Sequence, residues 1–489
     1  LWNGGSSIVQ LLLGLPLTVL LVRIMSPSAY GTLALAFTTV GFLLVVGGMG
    51  LTAGVSRVAA YEYAKGGLEG AVGVYRTGRR LALVTGTICA LGCVAISILS
   101  PRFHALQGIG LAVLVLAPVV VLAPLRNVLI GVLRAINRPR LAEVPDSVGA
   151  FVGLVVTATA LAVGFRTAVP IAAARAVGLL VPVFLLWRAT RWMTRRPTHA
   201  VTVEVPARSI FAYSFPLFLN SVVITAIAQL DVMLLGAFYG TRTVALYSPI
   251  NRLTAWPTTA FGFAGAYLLP QLTQAIALGD RPAVASLYHG ASRWGWVLAV
   301  PFVGPLLATP SAVLSVLFGN RYADLSAPTR VLTMAALLSI LAGFNAAAVD
   351  AHGNPKRVAI RSGIALAVSV AACFALVPHF GMMGGAWATV IGIGTLNLLN
   401  SSVLAIQYRI WPWDRALSLI GLTGAATIAV VYLVAPLIPW LFGRCVLAAV
   451  LPALTCITVL LLAVDNEERH LLLGRLPWVG KRFAPVARP

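Results

Sequence analysis

Most of this chain is written in apolar stretches of 20 residues or longer, and that constrains its fold more than any other feature. A helix needs about 20 apolar residues to cross a hydrocarbon core of roughly 30 Å. Strands of a membrane barrel would alternate apolar and polar residues, and these stretches do not. Hydrophobic residues make up 59% of the 489 and charged residues 10%, too few charges to cover a soluble globule of this content. The chain reads as an all-α integral membrane protein.

Breaks at Gly, Pro and charged clusters divide it into about fourteen spans, near 4–25, 30–53, 80–100, 108–133, 142–164, 168–190, 210–238, 243–270, 288–309, 326–351, 358–379, 382–407, 414–437 and 440–464. The longest loops expected are 55–79 and 190–209. No cleavable leader is expected, and a few residues are expected to precede Leu1.

The formal net charge is +22, which in a soluble protein would suggest nucleic acid. In this setting it reads as topology signal and contact with anionic headgroups, and no nucleic-acid partner is expected. Lys and Arg concentrate in the even-numbered loops, as in Arg76, Arg79 and Arg80 or Arg134, Arg138 and Arg140. That bias predicts a cytoplasmic location for those loops and for both termini.

Two polar phrases reveal a repeat. "RAINRPRLAEVPD" (Arg134 to Asp146) resembles "AHGNPKRVAIRSG" (Ala351 to Gly363), with Ala135 and Ala351, Pro139 and Pro355, and Arg140 and Lys356 each 216 positions apart. "SPSAYGTLALAF" and "GTRTVALYSPIN", and "SPRFHAL" and "GNRYADL", recur at similar offsets. The expected organisation is an N-terminal six-helix lobe (1–200), a parallel C-terminal lobe (201–410), an extra helix pair (411–465) and a basic cytoplasmic tail (466–489). The tail and Tyr61–Leu81 each read as an amphipathic interfacial segment or a solvated basic linker. Two such lobes suit alternating access around a central site.

Ionisable groups inside spans are the functional candidates, because leaving them unpaired in hydrocarbon is costly. Arg252 lies about ten residues into span 8, so about 15 Å deep. Two readings are open: an ion pair with Asp231 of span 7, or an Arg that grips phosphate oxygens, Asp231 then serving ion coupling or gating. Arg23 and Arg57 either line the wall between lobes or snorkel to the interface. Asn220 and Asn251 either line the cavity or bond neighbouring helices. Arg126 and Arg175 are also deep. Catalytic, metal and nucleotide-binding motifs are missing, so no enzyme activity, metal or cofactor is expected. The five cysteines read as small apolar side chains.

"YSPINRLTAWPTTAFGFAGAYLLPQLTQ" (Tyr247 to Gln274) resembles the eighth span of the multidrug/oligosaccharidyl-lipid/polysaccharide exporter superfamily, through Tyr247, Arg252, Leu253, Pro257, Leu269, Pro270 and Leu272. "VRIMSPSAYGTLALA", "VGGMGLTAGVSRVAA", "LFGNRYADLSAPTRVLTM" and "VPHFGMMGGAWATV" resemble its polysaccharide-flippase branch. The resemblance implies translocation of a polyprenyl-pyrophosphate-linked oligosaccharide to the outer leaflet, through a V-shaped cavity with basic residues on spans 1, 2, 7 and 8. It implies a substrate contact for Arg252, and less directly for Arg23 and Arg57. The relative that flips the peptidoglycan precursor carries more charge in its first span than this chain does. Expected partners are the glycolipid, membrane lipids, and a glycan polymerase or glycosyltransferases of the same pathway, with the transporter acting as a monomer. The competing readings are a drug or cation antiporter, which needs acidic cavity residues, and a membrane glycan polymerase or ligase, which needs a large outer loop.

Overall fold

Three glycine hinges organise the helices. The computed structural model describes residues 2–102, 108–195, 205–265, 268–351, 355–407, 409–411 and 413–463, and every regular element in them is helical. In order these are α1 (Trp2–Ile24), α2 (Pro27–Gly48), α3 (Leu51–Leu99), α4 (Ile109–Ala135), α5 (Pro139–Ala162), α6 (Ala168–Arg195), α7 (Ala207–Thr254), α8 (Trp256–Gly265), α9 (Leu268–Ala277), α10 (Arg281–Ala308), α11 (Pro310–Phe318), α12 (Ser326–Leu341), α13 (Asn345–Ala351), α14 (Pro355–Gln407), α15 (Arg415–Val434) and α16 (Leu441–Ala463). The tail 466–489 lies outside the described residues.

A straight helix of 48 to 53 residues would be about 75 Å long, more than twice the bilayer core. α3, α7 and α14 are of that length, and each turns instead at a glycine: Gly67 (φ +58), Gly240 (φ +79) and Gly381 (φ +54). Side chains beyond hydrogen strongly disfavour these backbone angles. In α3 and α14 the arms close tightly after the turn. A Cβ on Gly70 would sit 2.2 Å from the Glu62 carbonyl oxygen, and one on Gly384 would sit 2.1 Å from that of Leu376.

The first of these hairpins corrects the expected loop at 55–79. Both arms around Gly66–Gly67 are helical, and Ala71, Val72, Val74 and Tyr75 join a core with Val55, Val128, Leu129 and Leu133. Tyr61–Leu81 is therefore helical, with one face in a packed core.

Among the described residues nine helical stretches are long and apolar enough to cross a membrane, or ten if α10 and α11, bent by 98°, count as one. Three of the nine, 27–102, 217–262 and 357–406, contain the hairpins. The protein is a multi-pass membrane protein.

The described residues form two compact units. One comprises Leu1–Thr254, Leu317–Ala335 and Gly353–Leu399. In it α2 starts at a Ser26 cap whose hydroxyl accepts from the Ala29 amide at 3.3 Å, with Pro27 in the first turn. α2 then packs against α7 so closely that a Cβ on Gly31 would meet the Thr241 carbonyl oxygen at 1.9 Å. Two ion pairs, Arg126–Asp146 and Arg134–Glu143, tie α4 to α5. They take up Arg134, Glu143 and Asp146 of the first polar phrase.

The second unit comprises Ala255–Val316, Ala336–His352 and the residues from Asn400 onward. Asp414 caps α15, accepting from the Leu417 amide at 2.7 Å, and pairs with Arg293 of α10. Phe261 stacks on Phe344 at 4.2 Å, and Gly304 lets α10 approach the Ala448 carbonyl of α16.

Candidate functional site

The α7 hairpin brings a carboxylate and a phenol together. Asp231 on its first arm and Tyr247 on its second are both fully buried. The Tyr247 hydroxyl donates to Asp231 Oδ2 at 2.7 Å, and Thr389 of α14 donates to the same oxygen at 3.0 Å. The Val232 amide donates to Oδ1 at 2.7 Å. Gly385 makes room for the phenol, the place for its Cβ lying 3.4 Å from the Tyr247 hydroxyl. Three neutral donors thus solvate a fully buried carboxylate.

This arrangement replaces the ion pair with Arg252 that the sequence left open. The ion pairs among the described residues are Arg126–Asp146, Arg134–Glu143 and Arg293–Asp414. Arg252 stands exposed in the last turn of α7. Its charge acts instead on Arg175 of α6 and on Tyr30 of α2, whose hydroxyl bonds Ser248. Arg175 also lies over the Phe37 ring at 5.0 Å. Two like charges thus act on one another, each costly alone in a membrane span. Among the described residues neither has a carboxylate partner. Such a pair can grip a multivalent oxyanion with both planar forks.

The other candidates lie at different depths. Arg23 closes α1, where its Nε donates to the Leu317 carbonyl at 2.9 Å. Arg321 returns a bond to the Val22 carbonyl, and the buried Tyr322 hydroxyl donates to the Ala245 carbonyl at 3.1 Å. These contacts mark the hinge end of α7, as does Tyr239, which donates to the Pro378 carbonyl close to the Gly381 turn. Arg252 follows the hinge by 12 residues, about 18 Å along the helix. Arg57 stacks over Tyr213 at 4.6 Å, and Tyr213 precedes the hinge by 27 residues, about 40 Å. The five predicted substrate residues therefore do not converge on one point. Arg23, Arg252 and Arg57 stand at three levels along α7.

Asn220 accepts a hydrogen bond from Ser362 at 2.9 Å, which ties α7 to α14. Asn251 is half-buried beside Arg252, and its backbone carbonyl accepts from Thr254 at 3.1 Å. Arg126, deep in the sequence reading, is taken up by Asp146. Sequence reasoning singled out neither Tyr30 nor Arg321. Both stand in quoted phrases, "SPSAYG" and "FGNRYADL", but their partners lie far along the chain.

This fold is similar to those of known transporters. It superposes on an inward-facing MATE multidrug resistance transporter of the MOP superfamily with a TM-score of 0.67 at 16% identity, covering 82% of this chain and 98% of that one. It superposes on the lipid II flippase MurJ in an inward closed conformation with a TM-score of 0.67 at 15% identity, covering 94% and 98%. In sequence it is 22% identical over 220 residues to the probable low-salt glycan biosynthesis flippase Agl15 of Haloferax volcanii. That match spans 44% of this chain and 47% of the relative, so about half of the relative's length. Residues 20–327, more than half of the chain, match the family described as "Polysaccharide biosynthesis protein". On that match, with an all-helical fold shared with MOP transporters around it, the chain belongs to the polysaccharide biosynthesis protein family.

Proposed function

We propose that this protein is a flippase. It carries a polyprenyl-pyrophosphate-linked oligosaccharide from the cytoplasmic to the outer leaflet of a prokaryotic plasma membrane, for cell-surface polysaccharide synthesis. The observation that carries the reading is that Arg175 and Arg252, two cations within the apolar helices, act on one another and have no carboxylate partner among the described residues. A pyrophosphate cannot cross hydrocarbon without losing its hydration, and a cationic wall offsets that loss without any bond being made or broken. The kinship with named flippases of glycan and lipid II supports the same reading.

In this reading the six-helix lobes 1–200 and 201–410 alternate access, with 411–465 as an added pair, and both termini lie in the cytoplasm. The hinge end of α7 then faces outward and the Arg57 end inward. Arg57, Arg252 and Arg23 are met in that order by an outgoing headgroup, while Asn220 and Asn251 hold helix positions along its route. Asp231 serves coupling or gating, since a carboxylate held by hydroxyls is able to exchange them for a cation or a proton. The monomer acts with a polymerase or glycosyltransferases of its pathway.

The test is flipping of a fluorescent polyprenyl-pyrophosphate sugar in proteoliposomes, wild type against Arg252→Ala. Wild-type flipping that the variant loses while inserting normally supports the reading. No flipping of several lipid-linked sugars, with Asp231-dependent export of a cationic dye, would replace it with the antiporter.

A further inference from the structure

Where α1 meets the turn after α11, a cleft of about 490 Å³ is lined by Arg23, Phe318, Gly319, Asn320 and Arg321. We propose that this cleft is a second oxyanion subsite, and that the two arginine–carbonyl bonds across it are a latch which the anion replaces.

The bonds are reciprocal. Arg23 donates to the Leu317 carbonyl on the far side, and Arg321 donates back to the Val22 carbonyl. Each ties a guanidinium to a neutral acceptor on the other's segment. A phosphate oxygen is the stronger acceptor, with charge-assisted bonds about twice as strong as neutral ones. An anion entering the cleft therefore takes both arginines from both carbonyls together. The walls suit it. Gly319 adopts φ +95 with nothing within 4 Å of where a Cβ would stand, and Asn320 adds an exposed amide. The carboxylate on the same turn, Asp324, is exposed to solvent. Tyr322, bonded to the Ala245 carbonyl and with its ring under the Arg321 guanidinium at 5.3 Å, anchors the turn from behind.

The ligand class is a phosphate-type oxyanion at the end of the bundle where α7 turns. Its source is the headgroup of the carried glycolipid or that of a membrane phospholipid. Assigning it to the cargo rests on the flippase reading; the subsite itself does not.

The experiment is amide hydrogen exchange on the full chain in detergent, in an Arg252→Ala background so that the deeper site is silent. Saturating inorganic pyrophosphate is expected to raise exchange across 317–325 by about fivefold or more, as local opening becomes easier. The added pair Arg23→Gln and Arg321→Gln is expected to exchange fast already and not to respond. An unchanged 317–325 segment on addition of pyrophosphate overturns the proposal. If the Gln pair does not fold, Arg23→Lys and Arg321→Lys keep the charge but not the fork, and are expected to weaken pyrophosphate binding roughly tenfold; full retention of affinity overturns it. In nanodiscs of phosphatidylcholine, farnesyl pyrophosphate is expected to open the turn where phosphatidylglycerol does not. Equal opening by phosphatidylglycerol overturns the cargo as source. No transport is read, so failure here is distinguishable from failure of the flippase reading.

Discussion

Tyr247 and Asp231, 16 residues apart in sequence, meet at 2.7 Å across the Gly240 turn of α7. The phenol and Thr389 occupy the lone pairs that a cation partner would otherwise take. Tyr247→Phe is expected to lower stability by roughly 1.5–3 kcal/mol, the range for a hydrogen bond to a charged group. Thermal unfolding in detergent measures it. If Asp231 couples an ion, Asp231→Asn flips lipid at a rate indifferent to an imposed ion gradient. A gradient dependence that survives the substitution removes Asp231 from the coupling role.

Arg175 and Arg252 act on one ligand in the proposed site, so their substitutions are expected to be non-additive. Arg175→Ala and Arg252→Ala should each weaken binding of a pyrophosphate lipid by about tenfold or more, and the double variant by less than the product. Independent, multiplying losses would place the two arginines at separate sites.

The Arg126–Asp146 pair is half-shielded, with side chains 31% and 9% exposed. Asp146→Asn leaves Arg126 without its counter-charge in a membrane helix and is expected to cost on the order of 3 kcal/mol. The paired replacement Arg126→Met with Asp146→Leu should recover much of that. Denaturation midpoints of the three variants decide it, and a double variant worse than the single one contradicts the argument.

Asp414 gives a pH signature outside the spans. Burial pushes its carboxyl up, but the hydrogen bonds from Arg293 and the Leu417 amide, with the Arg293 charge, prevail and hold it below the usual value of 3.8. A depressed folded value means that the cap and ion pair contribute fully above the unfolded value, and that this contribution is lost as pH falls through the folded one. Stability lost between pH 5 and 3 should therefore be smaller in Asp414→Asn than in wild type. Thermal midpoints across that range test it; parallel curves would count against the pair.

Gly240 holds φ +79 and ψ 179, a region that residues with a Cβ rarely enter. Gly240→Ala meets open space, so its cost is conformational, expected at about 1–3 kcal/mol. Gly31→Ala is different in kind, because its Cβ would collide with the Thr241 carbonyl and push α2 off α7. A cysteine crosslink between those helices should therefore be lost in Gly31→Ala and kept in Gly240→Ala.

The sequence by itself determined that this protein crosses a membrane repeatedly as helices. Backbone groups in hydrocarbon must be satisfied within their own segment, so apolar length alone is decisive. It also marked Asp231 and Arg252 as costly charges, since that cost depends on depth along one span. Which groups relieve the cost was not legible, because partners are set by the register of helices far apart in the chain. Asp231 looked like the counter-charge of Arg252, yet the turn at Gly240 presents Tyr247 to it, and α14 adds Thr389. The charge of Arg252 acts on Arg175, and Arg23 meets a turn 294 residues away, contacts set by helix packing such as the close approach of α2 to α7 at Gly31. The segment 55–79 read as a loop for a related reason. Its basic residues are exposed, but a packed face on α4, visible only once the hairpin closes, makes it helix.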